Sequence, residues 1–261
     1  MVATTFGHKT GHIAAPAQDF LVPMPADLDP MLGIFAAQMG PIAANGILHA
    51  DALCHPAGDA AFGAGVQGRR VVVWGGGTVG LLTALFARAV GAQSVVLAEP
   101  SAFRRGVAER MGLQAMDEDA AMSEAKLWGA PGDRGADIVF QTRARSDSLH
   151  RALAALRPQG SVIDLAFYQG GMDGVRLGEE FHHNGLRLIC AQIGRVPSGF
   201  APAWPRMRLA EETLALLAAQ GSLIRDTMIT HAVPFEEAPG FLSHLLHNRP
   251  EFLQIVFAQN L

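Results

Sequence analysis

Charge is scarce in this chain, and the scarcity excludes a good deal. Only 17 % of the 261 residues are Asp, Glu, Lys or Arg, the formal net charge is −4, and no basic block is present. Nucleic acids and anionic membrane surfaces recruit clustered cations, so neither is an expected partner. Cysteine is scarcer still. Cys54 and Cys190 lie far apart with no metal spacing, which argues against a disulfide framework and for a reducing, cytoplasmic setting. The first 20 residues have no apolar core of a secretory signal and carry His8, Lys9, His12 and Asp19. There is no internal repeat and no low-complexity tract. One stretch, Met31 to Leu48, runs without a charge, but Gln38, Pro41 and Asn45 inside it suit lipid poorly. A buried helix or helix pair is the expectation there.

What the chain does have is 49 % apolar residues and one informative turn. Residues 70–80 read Arg-Val-Val-Val-Trp-Gly-Gly-Gly-Thr-Val-Gly. A β-branched run ends in Gly75-x-Gly77-x-x-Gly80, and a helical pattern opens at Thr78. Gly75 permits a tight strand-to-helix turn, Gly77 leaves room for a pyrophosphate, and Gly80 lets the helix pack on the strand. The helix N-terminus then offers free amides and the positive dipole end to phosphate. A second apolar run, Ser94 to Ala98, ends at Glu99, about twenty residues past the glycines, where a carboxylate would meet an adenosine ribose.

The rest of the pattern alternates. Strands are expected at 70–74, 94–98, 136–140 and 160–166, with helices at about 78–90, 101–111, 119–127 and 146–157. Such alternation predicts right-handed crossovers and an α/β, doubly wound parallel sheet of the Rossmann kind. The strands are apolar throughout, as when helices cover both faces. Gly91, Gly112 and Gly160 sit where helix C-caps belong. Asp29-Pro30 starts a helical region that runs to about Ala52. Leu186 to Ile193 is a further strand, and 209–219 a helix. Short strands at 228–233 and 255–257 flank a helix at 236–247. The expected division is 1–54 (linking helices and a small β-rich remnant), 55–225 (dinucleotide-binding domain) and 226–261 (a returning segment).

In this order the pieces resemble the medium-chain dehydrogenase/reductase superfamily, the zinc-type alcohol dehydrogenases and their relatives. Phe20-Leu21-Val22-Pro23-Met24-Pro25, the helices from Asp29 to Leu53, the Gly75–Gly80 turn, Glu99 with Arg104 and Arg105, and Thr230-His231-Ala-Val-Pro-Phe carry the likeness. The resemblance spans roughly 15–257. It implies an NAD(P)-dependent oxidoreductase acting on a small alcohol or carbonyl compound. It also implies an N-terminal GroES-like barrel with the catalytic and structural zinc ligands, and those residues are absent here. Met39 stands where a third zinc ligand is expected. A zinc-free enzyme, a shortened and impaired chain, and a half completed by a partner all remain open. No zinc is expected on this chain and no catalytic residue is identifiable.

The resemblance places pyrophosphate at Gly75, Gly77, Thr78, Val79 and Gly80, adenosine near Glu99, and nicotinamide near Gln141-Thr142, Ala166-Phe167 and Ile193-Gly194. Glu99 favours NAD, because a carboxylate repels a 2′-phosphate, while Arg104 and Arg105 leave NADP open. The superfamily dimerises through the domain's edge strand, here Leu186 to Ile193, so a homodimer is expected. A metal pair at His182-His183 is disfavoured by geometry, and His8 with His12 has the spacing of a helical metal pair but Gly7, Lys9 and Gly11 argue against a helix there. His49 is conceivable as a proton relay, and His49 and His55 could line the cleft. Cys190 is expected as inert core. Phe200 and Trp204 belong either to a closing loop or to a packed one. The alternatives to an oxidoreductase are a non-catalytic dinucleotide-binding protein and, more weakly, a domain for another adenosine ligand such as S-adenosylmethionine.

Overall fold

The structure is a computed structural model that describes residues 1–7, 9 and 11–259. Its centre is a six-stranded, wholly parallel sheet: β3 (Arg70–Trp74), β4 (Ser94–Ala98), β5 (Gln114–Met116), β6 (Ala136–Gln141), β7 (Leu156–Asp164) and β8 (Arg187–Cys190), in spatial order β5-β4-β3-β6-β7-β8. The chain starts in the middle, winds outward one way, returns, and winds outward the other. Right-handed crossovers therefore place the connecting helices on opposite faces. Helices α2 (Thr78–Ala89) and α3 (Ala102–Arg110) cover one face, and α4 (Glu118–Ala125) with α5 (Ser146–Ala154) the other.

The two cores follow from the pleat. Val71 and Val73 of β3 point to the α2 side, whereas Val72 and Trp74 point to the α4–α5 side. All four are fully buried. At about 1.5–3 kcal/mol for each large apolar side chain, this strand alone anchors both layers.

The uncharged N-terminal stretch is three helical pieces: a 3₁₀ turn at 30–32, a π turn at 35–39, and α1 (Gly40–Cys54). By length and composition Pro30–Cys54 could cross a membrane. Here it packs against α2 and α6 (Arg206–Met228). It also buries Asn45 and Asp51, whose partners are protein backbone: Asn45 donates to the Gln192 carbonyl at 3.0 Å, and Asp51 accepts from the Gly63 and Gly65 amides at 2.8 and 2.7 Å.

Outside the sheet lie an antiparallel pair, β1 (Val2–Ala3) with β2 (Val22–Pro23), and a parallel pair, β9 (Ile229–Pro234) with β10 (Gln254–Ala258), joined through α7 (Ala238–Asn248).

Several expectations are corrected. β5 has no β-branched residue and gives no strand signal in sequence; pairing with β4 makes it a strand. Gly160 caps no helix. α5 ends at Ala154, β7 begins almost at once, and the left-handed residue is Gln159 at φ 60°. The expected helix at 209–219 runs on to Met228 through a kink at Gln220. Cys190 is exposed rather than core, because β8 is the last strand of the sheet. Phe200 and Trp204 are buried in a packed loop, Trp204 lying 5.5 Å from the Phe62 ring.

Candidate functional site

The strand order reverses between β3 and β6, which stay paired to their ends, so the segments that follow them leave on opposite faces of the sheet and a crevice opens beyond the strand ends. The glycine turn sits at its mouth. Gly75 has φ +107°, and a side chain there would strike Thr142 Oγ1 at 2.7 Å. A Cβ on Gly80 would overlap the Gly75 carbonyl oxygen. Gly77 differs from both. Its backbone is extended (φ −78°, ψ −177°), and the nearest atom to a Cβ there is Arg104 Nη1 at 3.9 Å. Space is thus kept at Gly77 by the protein but not filled by it.

Gly77 is also the N-cap of α2, and no side chain caps that end. The first-turn amides have no acceptor within the helix, and the dipole adds positive potential. A cradle with room, donors and potential is what a phosphate requires. Thr78 Oγ1 turns aside to donate to Gln254 Oε1 at 3.2 Å.

Glu99 braces this turn. Its Oε2 accepts from the Gly76 amide at 2.7 Å and its Oε1 from the Ser101 amide at 2.8 Å, leaving the residue 4 % exposed. The two following arginines diverge. Arg105 donates to the carbonyls of Glu99 and Pro100 at 2.8 and 2.7 Å. Arg104 points over Gly77 into the cleft.

The cleft has a volume of about 380 Å³ and is lined by Gly75, Gly77, Glu99, Arg104, Thr142 and Arg143, together with Pro250, Glu251 and Phe252. The sequence reading missed Arg143 and the 250–252 segment. The segment reaches the cleft only because β10 returns alongside β9, which no local signal records. Arg143 donates to Glu118 Oε1 at 2.6 Å; the same oxygen accepts from Trp74 Nε1 at 2.9 Å and Ser148 Oγ at 3.2 Å.

The remaining expected contacts separate. Thr142 lines the cleft, its Oγ1 2.9 Å from the Trp74 carbonyl oxygen. Val79 is half-buried in the first turn of α2. Gln141 is fully buried, its Nε2 donating to the Arg143 carbonyl at 2.7 Å and lying 3.3 Å from the Tyr168 hydroxyl. Ala166 follows β7 with its amide on Asp164 Oδ1 at 3.0 Å, and Phe167 beside it is 79 % exposed. Asp164 also accepts from the Tyr168 hydroxyl at 3.3 Å. Burial pushes the Asp164 carboxyl up to about 6 against those two donors, and burial likewise raises the Tyr168 hydroxyl. Gln141, Asp164 and Cys190 are register partners across β6, β7 and β8, and form a polar row under the sheet's C-terminal rim.

Of the histidines, His49 Nε2 lies 3.1 Å from the Arg195 carbonyl oxygen, and burial lowers its pKa despite that bond. Burial thus favours its neutral form, and its ring is held by a carbonyl rather than paired with a carboxylate. His55 Nδ1 is 4.0 Å from Asp59. His182 and His183 stack edge to face, and His183 Nδ1 meets its own turn's Glu179 carbonyl at 2.9 Å. His8 lies outside the described residues. Among the described residues no group of three or more His, Cys, Asp or Glu is placed to hold a metal ion. Met39 instead lines a groove of about 550 Å³ with Phe6, Ile34 and Phe257. A side chain at Gly40 would overlap Thr213.

A parallel sheet with this order, a glycine turn at the reversal and an acid closing the second strand define a Rossmann-type domain. The family described as zinc-binding dehydrogenase matches residues 78–207. The D-guloside 3-dehydrogenase of Escherichia coli K12 is 30 % identical over 185 residues, covering 69 % of this chain and 52 % of that protein. A Sinorhizobium meliloti protein assigned to the zinc-binding dehydrogenases, solved bound to NADP, superposes with a TM-score of 0.63 at 26 % identity, covering 92 % of this chain and 62 % of that one. The alcohol dehydrogenase of Thermus sp. ATN1 gives 0.68 at 21 % identity, with 91 % and 61 % covered. This chain belongs to the zinc-type medium-chain dehydrogenases. It spans about half the length of the curated relatives it matches.

Proposed function

We propose that the chain binds a nicotinamide dinucleotide in the cleft between β3 and β6, as the cofactor-binding part of an oxidoreductase that interconverts an alcohol and a carbonyl compound. The observation that carries this is Gly77: an open Cα position facing uncapped first-turn amides, beside two glycines whose own side-chain space is filled by protein. The nicotinamide supplies hydride acceptance or donation when bound. The protein's own part is to seat the diphosphate on the α2 amides, to hold the turn through Glu99, and to wall the cleft with Thr142 and the 250–252 segment.

The relatives' names mention a guloside, a galactonate and threonine, which are secondary alcohols flanked by further polar groups. A polyol or sugar acid is accordingly the substrate class proposed. The described residues do not furnish a zinc donor set, and the chemistry proposed for this chain does not run through one. A second reading is a dinucleotide-binding chain without turnover of its own.

We extend the proposal to a homodimer through β8, where Arg187, Leu188 and Cys190 are exposed along an unpaired strand edge. Two exposed unpaired thiols suit a cytoplasmic setting.

Titration of intrinsic fluorescence with NADPH and NADH tests the binding. Saturable binding of either supports the reading, and failure of both removes it. Cofactor oxidation or reduction over a panel of polyols and their ketones then separates enzyme from binding protein.

A further inference from the structure

We propose that Arg104 makes this cleft selective for a 2′-phosphorylated adenosine, so that NADP(H) rather than NAD(H) is the dinucleotide it takes. The inference rests on the dinucleotide reading above and adds a residue to it.

Three arginines surround the adenosine end, and two are already committed. Arg105 is spent on the Glu99 and Pro100 carbonyls, where it closes the end of β4. Arg143 is ion-paired with Glu118. Arg104 is different. Its backbone amide is taken by the Ser101 hydroxyl, the cap of α3, at 3.3 Å. Its guanidinium hangs over Gly77, on the cleft wall, with no hydrogen-bond or ion-pair partner among the described residues. A guanidinium offers five donors in a planar fork that matches a phosphate, and here that fork is unspent.

The acid that would argue for NAD is committed elsewhere. A ribose-selecting carboxylate presents its oxygens to the sugar hydroxyls. Glu99 instead gives one oxygen to the Gly76 amide and the other to the Ser101 amide, and is almost fully buried. Its charge is largely satisfied by the turn it braces. A phosphate monoester carries about −1.5 to −2 near neutral pH. Arg104 and the amides at the start of α3 both favour that charge at this end of the cleft. Glu251, on the C-terminal segment, is the one carboxylate lining the cleft without such partners among the described residues. It is exposed, so water screens it from the adenosine end.

The test is fluorescence or calorimetric titration of the purified chain with NADPH and NADH, and competition by 2′,5′-ADP against 5′-ADP. NADPH is expected to bind at least about tenfold more tightly than NADH, with 2′,5′-ADP the better competitor. Arg104→Ala is expected to lower the NADPH-to-NADH affinity ratio by about 10- to 100-fold, the span of one charge-assisted hydrogen bond. Arg104→Lys should recover part of it. The guanidinium makes no hydrogen bond or ion pair to a described protein group, so the melting temperature of Arg104→Ala should stay within a degree or two of the parent, which keeps folding out of the readout. NADH binding as tightly as NADPH overturns the inference and leaves the dinucleotide reading standing. So does an Arg104→Ala variant that weakens both nucleotides equally. Failure of both nucleotides to bind overturns the two together.

Discussion

Replacing Gly77 by valine separates a residue kept for the fold from one kept for a ligand. The backbone there is ordinary extended chain, so an L side chain fits without strain. The nearest atom to the new Cβ is the movable end of Arg104 at 3.9 Å. Stability should therefore change little. Loss of a glycine N-cap costs roughly a kcal/mol at most, and the stiffer unfolded chain offsets about 0.4–1 kcal/mol of that. The melting temperature should move by no more than about 4 °C. Binding should change far more. The side chain projects into the space beside the first-turn amides and holds a diphosphate away from them. Losing one hydrogen bond to a charged group, about 1.5–3 kcal/mol, weakens the nucleotide about tenfold to a hundredfold or somewhat more. The assay pairs a thermal melt with NADPH titration on the same sample. Retained affinity in a folded Gly77→Val variant would refute the assignment of this turn to phosphate.

Gly80→Ala should do the reverse. Its Cβ would overlap the Gly75 carbonyl, a backbone atom that cannot yield, so a loss of at least about 3 kcal/mol is expected in urea unfolding. Glu118→Ala strips the acceptor from the buried Trp74 indole, Ser148 and Arg143 together. It should cost about 2 kcal/mol and alter Trp fluorescence, and an unchanged melt would count against that hub. Asp137 binds Arg70 at 3.0 Å and Arg157 at 2.6 Å. Burial pushes its carboxyl up, but those arginines outweigh it and hold the pKa at about 2. The lowered value stabilises the fold above about pH 4, an effect lost as pH falls through 2. Asp51 and Asp164 run the other way: burial raises both to about 6 against their hydrogen bonds, so the folded state takes up protons first and stability grows as pH drops from 7 towards 5. Urea midpoints between pH 2 and 8 should peak near pH 4–5, and the steep fall below pH 4 should be shallower in Asp137→Asn.

Much of the architecture was readable because its causes are local. Val71 to Val73 can only be a buried strand, and Gly91 and Gly112 do take the left-handed conformation that ends α2 and α3. β5 was unreadable because Gln114, Ala115 and Met116 have no strand preference of their own. Cys190 was misread because periodicity reports that a strand is apolar and says nothing of whether a neighbour covers its edge.

At the site, the sequence by itself determined the turn: three glycines at this spacing admit a helix packed on a strand and a gap at the middle position, whatever surrounds them. It also determined the acid at the end of β4 and two arginines just beyond it. Only the tertiary structure decided what each of these does. Adjacent residues on a helix point about 100° apart, and that angle sends Arg105 to backbone carbonyls while Arg104 goes to the cleft. Glu99 turns inward because the Gly76 amide, distant from it along the chain, meets it once β3 and β4 pair, while the Ser101 amide closes on its other oxygen from two residues away. Hydrogen-bond donors compete for a carboxylate by proximity in space, and proximity in space is what a string of residues does not contain.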